Sequence, residues 1–207
     1  MGSLRRAALI EQLPDKSYRL GQAVMKLAAA YQRNDSLAER IRPVLRRLVD
    51  STGESASLHR RDGDQRLCVF RENSPQGLRD HVLEGSRQAI KLGGASSHVL
   101  SSFSDKVCTH VSPEAVRSLP ACSVGQPNAG VFAVAMPVFN RMNRLEGVLA
   151  VSGPTVRLNK RKLMNVAVIV VEAASEVSLA LGAPECPLTM LQRPNRAAIE
   201  RVFAALP

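Results

Sequence analysis

The chain has 207 residues, of which 45% are hydrophobic, 22% are charged and 3% are aromatic, and its formal net charge is +10. This length fits one sizeable domain with short flanking elements, or a domain and a fragment of a second one. No run approaches the roughly 18 apolar residues that a membrane span needs, and the first residues lack the apolar core of a signal peptide, so we expect a soluble, cytoplasmic protein.

The positive charge and the four cysteines limit the classes of function. A basic chain attracts polyanions such as nucleic acid, but a sequence with 3% aromatics and no Trp cannot build an aromatic platform for stacked bases. The cysteines form no CxxC pair and have no zinc-site spacing to a histidine. We therefore expect no metal and no cofactor, and no disulfide framework in a cytoplasmic chain.

The first predicted elements are two short strands and a helix. Leu9–Gln12 and Ser17–Leu20 alternate like strands on either side of the turn residues Pro14-Asp15-Lys16. Leu20, Val24, Leu27 and Tyr31 then repeat at helical spacing. A stripe of this kind is typical of a dimer seam or of an ordinary surface helix, and the pattern alone does not distinguish them.

A second helix is predicted from Ser36, because Glu39 three residues later completes a capping box. Pro43 lies inside this helix and is expected to kink or reset it. Thr52-Gly53 is a typical helix end.

Two hairpins are predicted in the remaining chain. The first joins Ser55–Arg60 to Gln65–Glu72 through the turn signal Asp62-Gly63. The second joins Val131–Phe139 to Leu145–Gly153, whose nearly continuous apolar runs indicate central strands of a covered sheet.

The other segments are less regular until the last third of the chain. Residues 77–100 are punctuated by glycines, and residues 101–130 are polar and rich in turns, with one weak helix over Pro113–Leu119. Asn159–Leu181 is the longest predicted helix, and Pro194–Leu206 has helical periodicity. Together these elements predict an α+β fold, an antiparallel sheet with flanking helices.

Five segments resemble the IclR family of bacterial transcription regulators, in matching order over roughly residues 9–182. They are Tyr18-Arg19-Leu20-Gly21; Arg42-Pro43 with Leu45, Leu48 and Thr52-Gly53-Glu54; Gly85-Ser86-Arg87; Gly130 with Ala133–Phe139; and Gly147–Leu158, which contains Ser152-Gly153-Pro154.

The resemblance implies a GAF/PAS-like effector-binding domain at residues 36–183. It also implies the remnant of a DNA-binding wing at residues 1–20, a linker and dimerisation helix at residues 21–35, and a helical tail at residues 184–207. Members of the family form dimers and tetramers and respond to a small organic acid or an aromatic metabolite. They bind promoter DNA through a helix-turn-helix, and since nothing before Leu9 is long enough to form one, we expect this polypeptide not to read DNA sequence by itself.

A glycine-rich turn is the first candidate for the effector site. Gly93, Gly94 and Ala95 lie where family members present backbone amides to the ligand, and backbone amides without obstructing side chains suit a carboxylate. The alternative is a loop or helix start that only needs a positive φ.

Strand residues supply further candidates through the resemblance. Ser152 matches a polar, ligand-facing position, and Ala133 matches a residue of the pocket wall. Ala150 stands where the family often has a second hydroxyl, which favours a less polar or bulkier effector. The family pattern is also longer than this chain between residues 101 and 130, where it covers the pocket.

Four more side chains complete the predicted site. Leu78, Val82 and Leu92 could form an apolar wall, or belong to the ordinary core. Arg87 could bind a carboxylate bidentately, or pair with Glu84 or Glu72 at the surface.

Two other functions stay open at this point. A ligandless module that dimerises with intact relatives would fit the short 101–130 region and the missing hydroxyl. An enzyme would need a constellation such as Cys122 with His110 as nucleophile and base, but nothing in the sequence orients them, and we expect no enzyme.

Overall fold

The structure is a computed structural model that describes residues 2–27, 36–103, 111–185, 188 and 194–204. The chain divides into two compact units, residues 1–39 and residues 40–207.

The first unit contains the predicted pair of short strands. A short helix, α1 (Gly2–Arg6), precedes β1 (Ile10–Gln12) and β2 (Tyr18–Leu20), which pair antiparallel with Ile10 opposite Leu20. Residues 23–27 are helical, which confirms the start of the predicted helix. Its continuation through residues 28–35, including Tyr31, lies outside the described residues.

The helix α2 spans Ser36–Thr52 and contains Pro43. Ser36, where the sequence predicts the helix start, is the first described residue of this stretch, and the Ser36 side chain of the proposed capping box lies outside the described part. Gly53 adopts a φ of +71° directly after it, a left-handed conformation that favours glycine at a helix end.

A six-stranded antiparallel sheet forms the centre of the second unit, in the order β5-β4-β3-β8-β7-β6. Both predicted hairpins are confirmed, with strands β3 (Ser55–Asp62), β4 (Gln65–Glu72), β7 (Val131–Phe139) and β8 (Leu145–Pro154). β3 pairs with β8, so the two hairpins join into one surface. The apolar strands β7 and β8 are interior strands of this sheet, as predicted.

Two edge strands and a helix lie in the segments that sequence patterns left irregular. The edges are β5 (Arg87–Ala89) and β6 (Ala121–Val124). After the 3-10 turn Ile90–Leu92, α3 spans Ala95–Phe103 and packs against β6, β7 and β8. The weak helix is confirmed as α4 (Pro113–Arg117).

The longest helix of the second unit, α5 (Lys160–Ala180), agrees with the predicted helix over Asn159–Leu181, and Asn159 caps it by accepting the Lys162 amide with its side chain. It packs against β7 and β8, and Ser178 accepts a hydrogen bond from the Phe139 amide. By length and composition α5 could span a membrane, but half of its apolar window is buried inside the protein, which suits a core helix. The last helix is α6 (Arg196–Ala204).

A buried carboxylate ties the start of β3 to the region after β8. The Glu54 side chain is fully buried, and Arg157 binds it through Nη2 at 2.6 Å and Nε at 3.0 Å, while Lys162 donates to its Oε1. Burial by itself raises the pKa of Glu54, but the hydrogen bonds from Arg157 and Lys162 outweigh it and hold the pKa below its ordinary value. No sequence pattern indicated this role for Glu54.

Candidate functional site

The sheet register brings a row of small and polar side chains onto one face. Ser57 of β3 lies opposite Ala150 of β8, and Ser152 of β8 lies opposite Ala133 of β7. Because side chains alternate along a strand, these residues share a face, while their large apolar neighbours point to the other one. The predicted residues Ala133, Ala150 and Ser152 are therefore brought together.

A small enclosed cavity, which we call the inner cavity, lies over this row. It has a volume of about 40 Å³. Its wall combines the strand residues with the β4–β5 loop, the first turn of α3 and the segment before β7; the lining residues are Ser57, His59, Arg66, Arg71, Asp80, Val82, Gly94, Ala95, Ser96, Gln126, Pro127, Asn128, Val131, Ala133, Ala150 and Ser152.

A buried ion pair dominates the polar side of the inner cavity. The Arg71 and Asp80 side chains are only 2% and 6% exposed, and Arg71 Nη2 lies 2.8 Å from Asp80 Oδ1. Ser152 donates its hydroxyl to the other oxygen, Asp80 Oδ2, at 2.8 Å. Arg71 also donates through Nε to Asn73, so the guanidinium is held in a fixed orientation.

Three buried polar atoms of the cavity wall have no hydrogen-bond partner among the described residues. They are Arg71 Nη1, Ser57 Oγ and His59 Nδ1. A buried polar group without a partner is costly, and a cationic one most of all. Three such atoms around one cavity indicate a binding site for a polar ligand.

The electrostatics of the wall favour an anion. Burial, reinforced by the nearby charges of Arg66 and Arg71, lowers the pKa of His59 to about 3, so this imidazole is neutral at physiological pH. The wall contains two arginines, Arg66 and Arg71, and one carboxylate, that of Asp80, so its net charge is positive. The first turn of α3 adds the positive end of a helix dipole.

The predicted glycine turn forms one side of the cavity. Gly94 and Ala95 line it, and together with Gly93 they also line a neighbouring cleft of about 440 Å³ between α3 and β6. The alternative of a helix start with positive φ also applies, since Gly93 and Gly94 have φ of +83° and +92° directly before α3. The amides of Gly93 and Ala95 donate to Ile90 O and Ser123 Oγ, so two of the three proposed amides already have partners.

The structure does not form the predicted apolar wall. Val82 lines the inner cavity, but Leu78 and Leu92 are 59% and 54% exposed and lie outside it. The β4–β5 loop turns Asp80 inward instead, because the Asp80 carboxylate accepts hydrogen bonds from Arg71 and Ser152 in the cavity.

Arg87 is an exposed residue on the edge strand β5. It pairs with Asp62 at 2.7 Å, with both side chains about half exposed. The expectation of a surface ion pair is confirmed, but the partners Glu84 and Glu72 were wrong, since β5 pairs with the beginning of β4. Arg87 also lines a second cavity of about 290 Å³, the outer cavity, which shares His59, Arg66, Val82 and Asn128 with the inner one.

Arg71 and Asp80, which give the site its charge, were not predicted from the sequence, and neither were Ser57 and His59. One signal was available. Ser55, Ser57 and His59 put polar groups on one face of β3 while Ala56 and Leu58 occupy the other, and polar residues in an interior strand indicate a lined cavity.

The proposed nucleophile–base pair receives no support from the site. Burial raises the pKa of the Cys122 thiol to about 12, so Cys122 is not a thiolate at neutral pH. His110 lies outside the described residues. Across those residues, no group of His, Cys, Asp or Glu has the geometry to hold a metal ion.

We expect His59 to make stability pH-dependent. Folding favours its neutral form, because its pKa falls from 6.5 in the unfolded chain to about 3. The free energy of unfolding should therefore drop as the pH falls below 6.5, by about 2 kcal/mol between pH 8 and pH 5. Urea unfolding of wild type and His59→Gln across this range measures the effect.

The matched control for this measurement is His81→Gln, which changes an exposed histidine of the same region. It should keep the wild-type slope, while His59→Gln flattens it. Equal slopes for His59→Gln and wild type would contradict a neutral, buried His59.

The known proteins that this chain resembles are transcriptional regulators. Residues 114–179 match the family described as bacterial transcriptional regulator IclR C-terminal. The HTH-type transcriptional regulator BhcR of Paracoccus denitrificans is 26% identical over 189 residues, covering 80% of this chain and 68% of that protein. The HTH-type transcriptional repressor AllR of Klebsiella pneumoniae is 22% identical, covering 80% and 69%.

A solved structure shares the fold. The IclR transcriptional regulator from Alicyclobacillus acidocaldarius superposes with a TM-score of 0.73 at 23% identity, covering 88% of this chain and 82% of that one. The α+β fold predicted from the sequence is thereby confirmed. These relatives are named as transcription regulators and not as enzymes.

Proposed function

The chain belongs to the IclR family of bacterial transcriptional regulators through its C-terminal domain, and from this premise we propose that it senses a small organic acid. The single observation that carries the proposal is Arg71 Nη1, a buried cationic donor without a partner among the described residues, in the wall of the inner cavity.

A carboxylate is the effector group that fits this wall. It could accept from Arg71 Nη1 and from the Ser57 hydroxyl, both unpartnered, at the positive end of α3. A volume of about 40 Å³ corresponds to roughly three water-sized spaces. This favours an acid of one to three carbons over the aromatic metabolite that the family resemblance allows, and over the bulkier effector that the missing hydroxyl at Ala150 suggested.

Oligomerisation and DNA binding are proposed on the strength of the family. The first unit exposes Leu20, Met25 and Leu27 by 74%, 74% and 59%, and such side chains favour burial against a second copy in a homodimer or tetramer. Promoter DNA would be bound only where a complete helix-turn-helix accompanies this domain. As a cytoplasmic regulator, the protein would meet its effector as a free metabolite.

A ligandless interaction module is the second candidate. Asp80 favours it, because its carboxylate already takes two of the donors of the inner cavity. The two candidates differ in whether any added carboxylate binds.

Binding of simple acids to the purified chain tests the proposal. Formate, acetate and pyruvate should each raise the melting temperature, by about 5–10 °C at concentrations near a hundredfold of Kd. Acetamide, the neutral isostere of acetate, should have no effect, and benzoate should bind more weakly than pyruvate. No shift with any carboxylate would favour the ligandless module.

Two arginine variants locate the bound carboxylate. Arg71→Met should lose acetate binding by about a hundredfold, as expected for a charged, buried hydrogen-bond donor. Arg87→Met removes the other arginine considered from the sequence and should leave the Kd unchanged. Titration calorimetry below both melting temperatures measures this, and the reverse ranking would move the site to the outer cavity.

A further inference from the structure

Asp80 occupies the inner cavity in the manner of a bound ligand. Its side chain is 6% exposed, although its chain neighbours Arg79 and His81 are exposed and Leu78 is 59% exposed. Asp80 therefore turns inward, as Val82 does, from a loop whose residues 75–79 are exposed.

The contacts of this carboxylate are those that an organic acid would make. Oδ1 accepts from Arg71 Nη2 and Oδ2 accepts from Ser152 Oγ, each at 2.8 Å. The external carboxylate of the proposed function would bind the same guanidinium through Nη1. It would therefore compete with Asp80 for Arg71 and for the space beside Ser152.

The β4–β5 loop is anchored at its ends and held inward at its middle. Ser74 donates to Gly53 O at 2.6 Å near the start, and Glu84 accepts the Arg71 amide at 2.7 Å near the end. Between them, the hydrogen bonds that join the loop to other elements are those of Asp80 with Arg71 and Ser152, and that of Leu78 O with Arg157 at 2.8 Å. The hydrogen bonds of Gln76 with Ser74 and of Leu83 with Ser86 stay within the loop. Residues 76–83 can therefore move outward while both ends stay in place.

We infer that Asp80 is an exchangeable internal ligand: an effector carboxylate gains Arg71 and Ser152 by displacing Asp80, and this displacement releases residues 76–83. The exchange replaces one carboxylate by another, so the charge of the cavity is conserved and the displaced Asp80 regains water. The inference rests on the proposed function, and it makes the movement of the β4–β5 loop the signal of occupancy.

Removing the internal carboxylate tests the inference. Asp80→Ala should bind formate or acetate at least about tenfold more tightly than wild type, as expected when the Asp80-bound state holds about nine molecules in ten or more. Either acid should also restore the melting temperature that Asp80→Ala loses. Asp80→Asn, which keeps the volume and loses the charge, covers the case in which the alanine variant does not fold, and should still bind more tightly than wild type.

Hydrogen exchange supplies the second readout. Acetate should raise amide exchange over residues 76–83 of the wild type, and Asp80→Asn should show raised exchange there without acetate. Asp64→Asn, the same change at an exposed turn between β3 and β4, should match the wild type in affinity and exchange.

The outcomes separate the inference from the proposed function. Equal acetate affinity for wild type and the Asp80 variants, or binding to the wild type without raised exchange at residues 76–83, overturns the inference and leaves the proposed function intact. No acetate binding by any of these proteins overturns both.

Discussion

Glu54→Ala is expected to destabilise the domain by about 3–5 kcal/mol, the usual cost of removing one partner from a buried ion pair. Its fully buried carboxylate is shared by Arg157 and Lys162, whose side chains are 26% and 25% exposed. Without Glu54, two largely buried cations lose their common counter-ion, and a hollow remains beside Gly153. Urea unfolding followed by circular dichroism measures the loss.

Asp62→Ala is the matched control, because it removes the acid of an exposed pair with Arg87. Exposed pairs contribute about 0–1 kcal/mol, so Asp62→Ala should unfold close to the wild type. A cost for Glu54→Ala no larger than that for Asp62→Ala would contradict the role of Glu54 as a buried structural counter-ion. Glu54→Gln should fall between the two, since it keeps the shape and loses the charge.

The elements that sequence patterns predicted are those whose apolar residues match their burial. α5 buries Leu163, Val166 and Val170 on one side, at helical spacing. β7 and β8 have nearly continuous apolar runs and are interior strands covered by α3 and α5. In both cases the apolar pattern and the tertiary burial agree, so local sequence was sufficient.

The elements that were missed depend on contacts far away in the sequence. The sequence of α3 is rich in serine, and its apolar and polar residues do not separate clearly onto two faces. Even so, Ser96 and Ser97 are only 2% exposed, because the helix packs on the sheet. β5 and β6 have only three and four residues. They form strands because their backbones pair with those of β4 and β7.

Several wall residues of the candidate cavity were predicted from the sequence, whereas its charged residues were not. Residues chosen by resemblance to the family, such as Gly94, Ala133 and Ser152, meet at one cavity, because the fold fixes where those positions lie. Arg71 and Asp80 could not be paired from the sequence, since nothing local indicates that the β4–β5 loop turns an acid inward. A loop contact of this kind is decided by its partners in space.

Gly94→Ala is expected to lower stability by about 3 kcal/mol and to abolish acetate binding. Its φ of +92° costs an alanine about 1–2 kcal/mol. An added Cβ would also lie 2.9 Å from Pro127 Cδ and 3.0 Å from Gln126 O, and overpacking of this kind costs about 1–3 kcal/mol. Relief of the clash must move the first turn of α3 away from residues 126–127, which opens the inner cavity.

Gly93→Ala separates backbone strain from close approach. Gly93 has a similar φ of +83°, but a Cβ there would meet only Gln126 Oε1 at 3.8 Å, and the residue lines the neighbouring cleft. Gly93→Ala should therefore lose stability through strain while keeping the wild-type Kd for acetate. Thermal unfolding and calorimetry on the two variants measure both effects, and loss of binding in Gly93→Ala with retention in Gly94→Ala would contradict the placement of the site beside Gly94. Because the two substitutions are identical and adjacent, any difference in acetate affinity reports on the inner cavity itself.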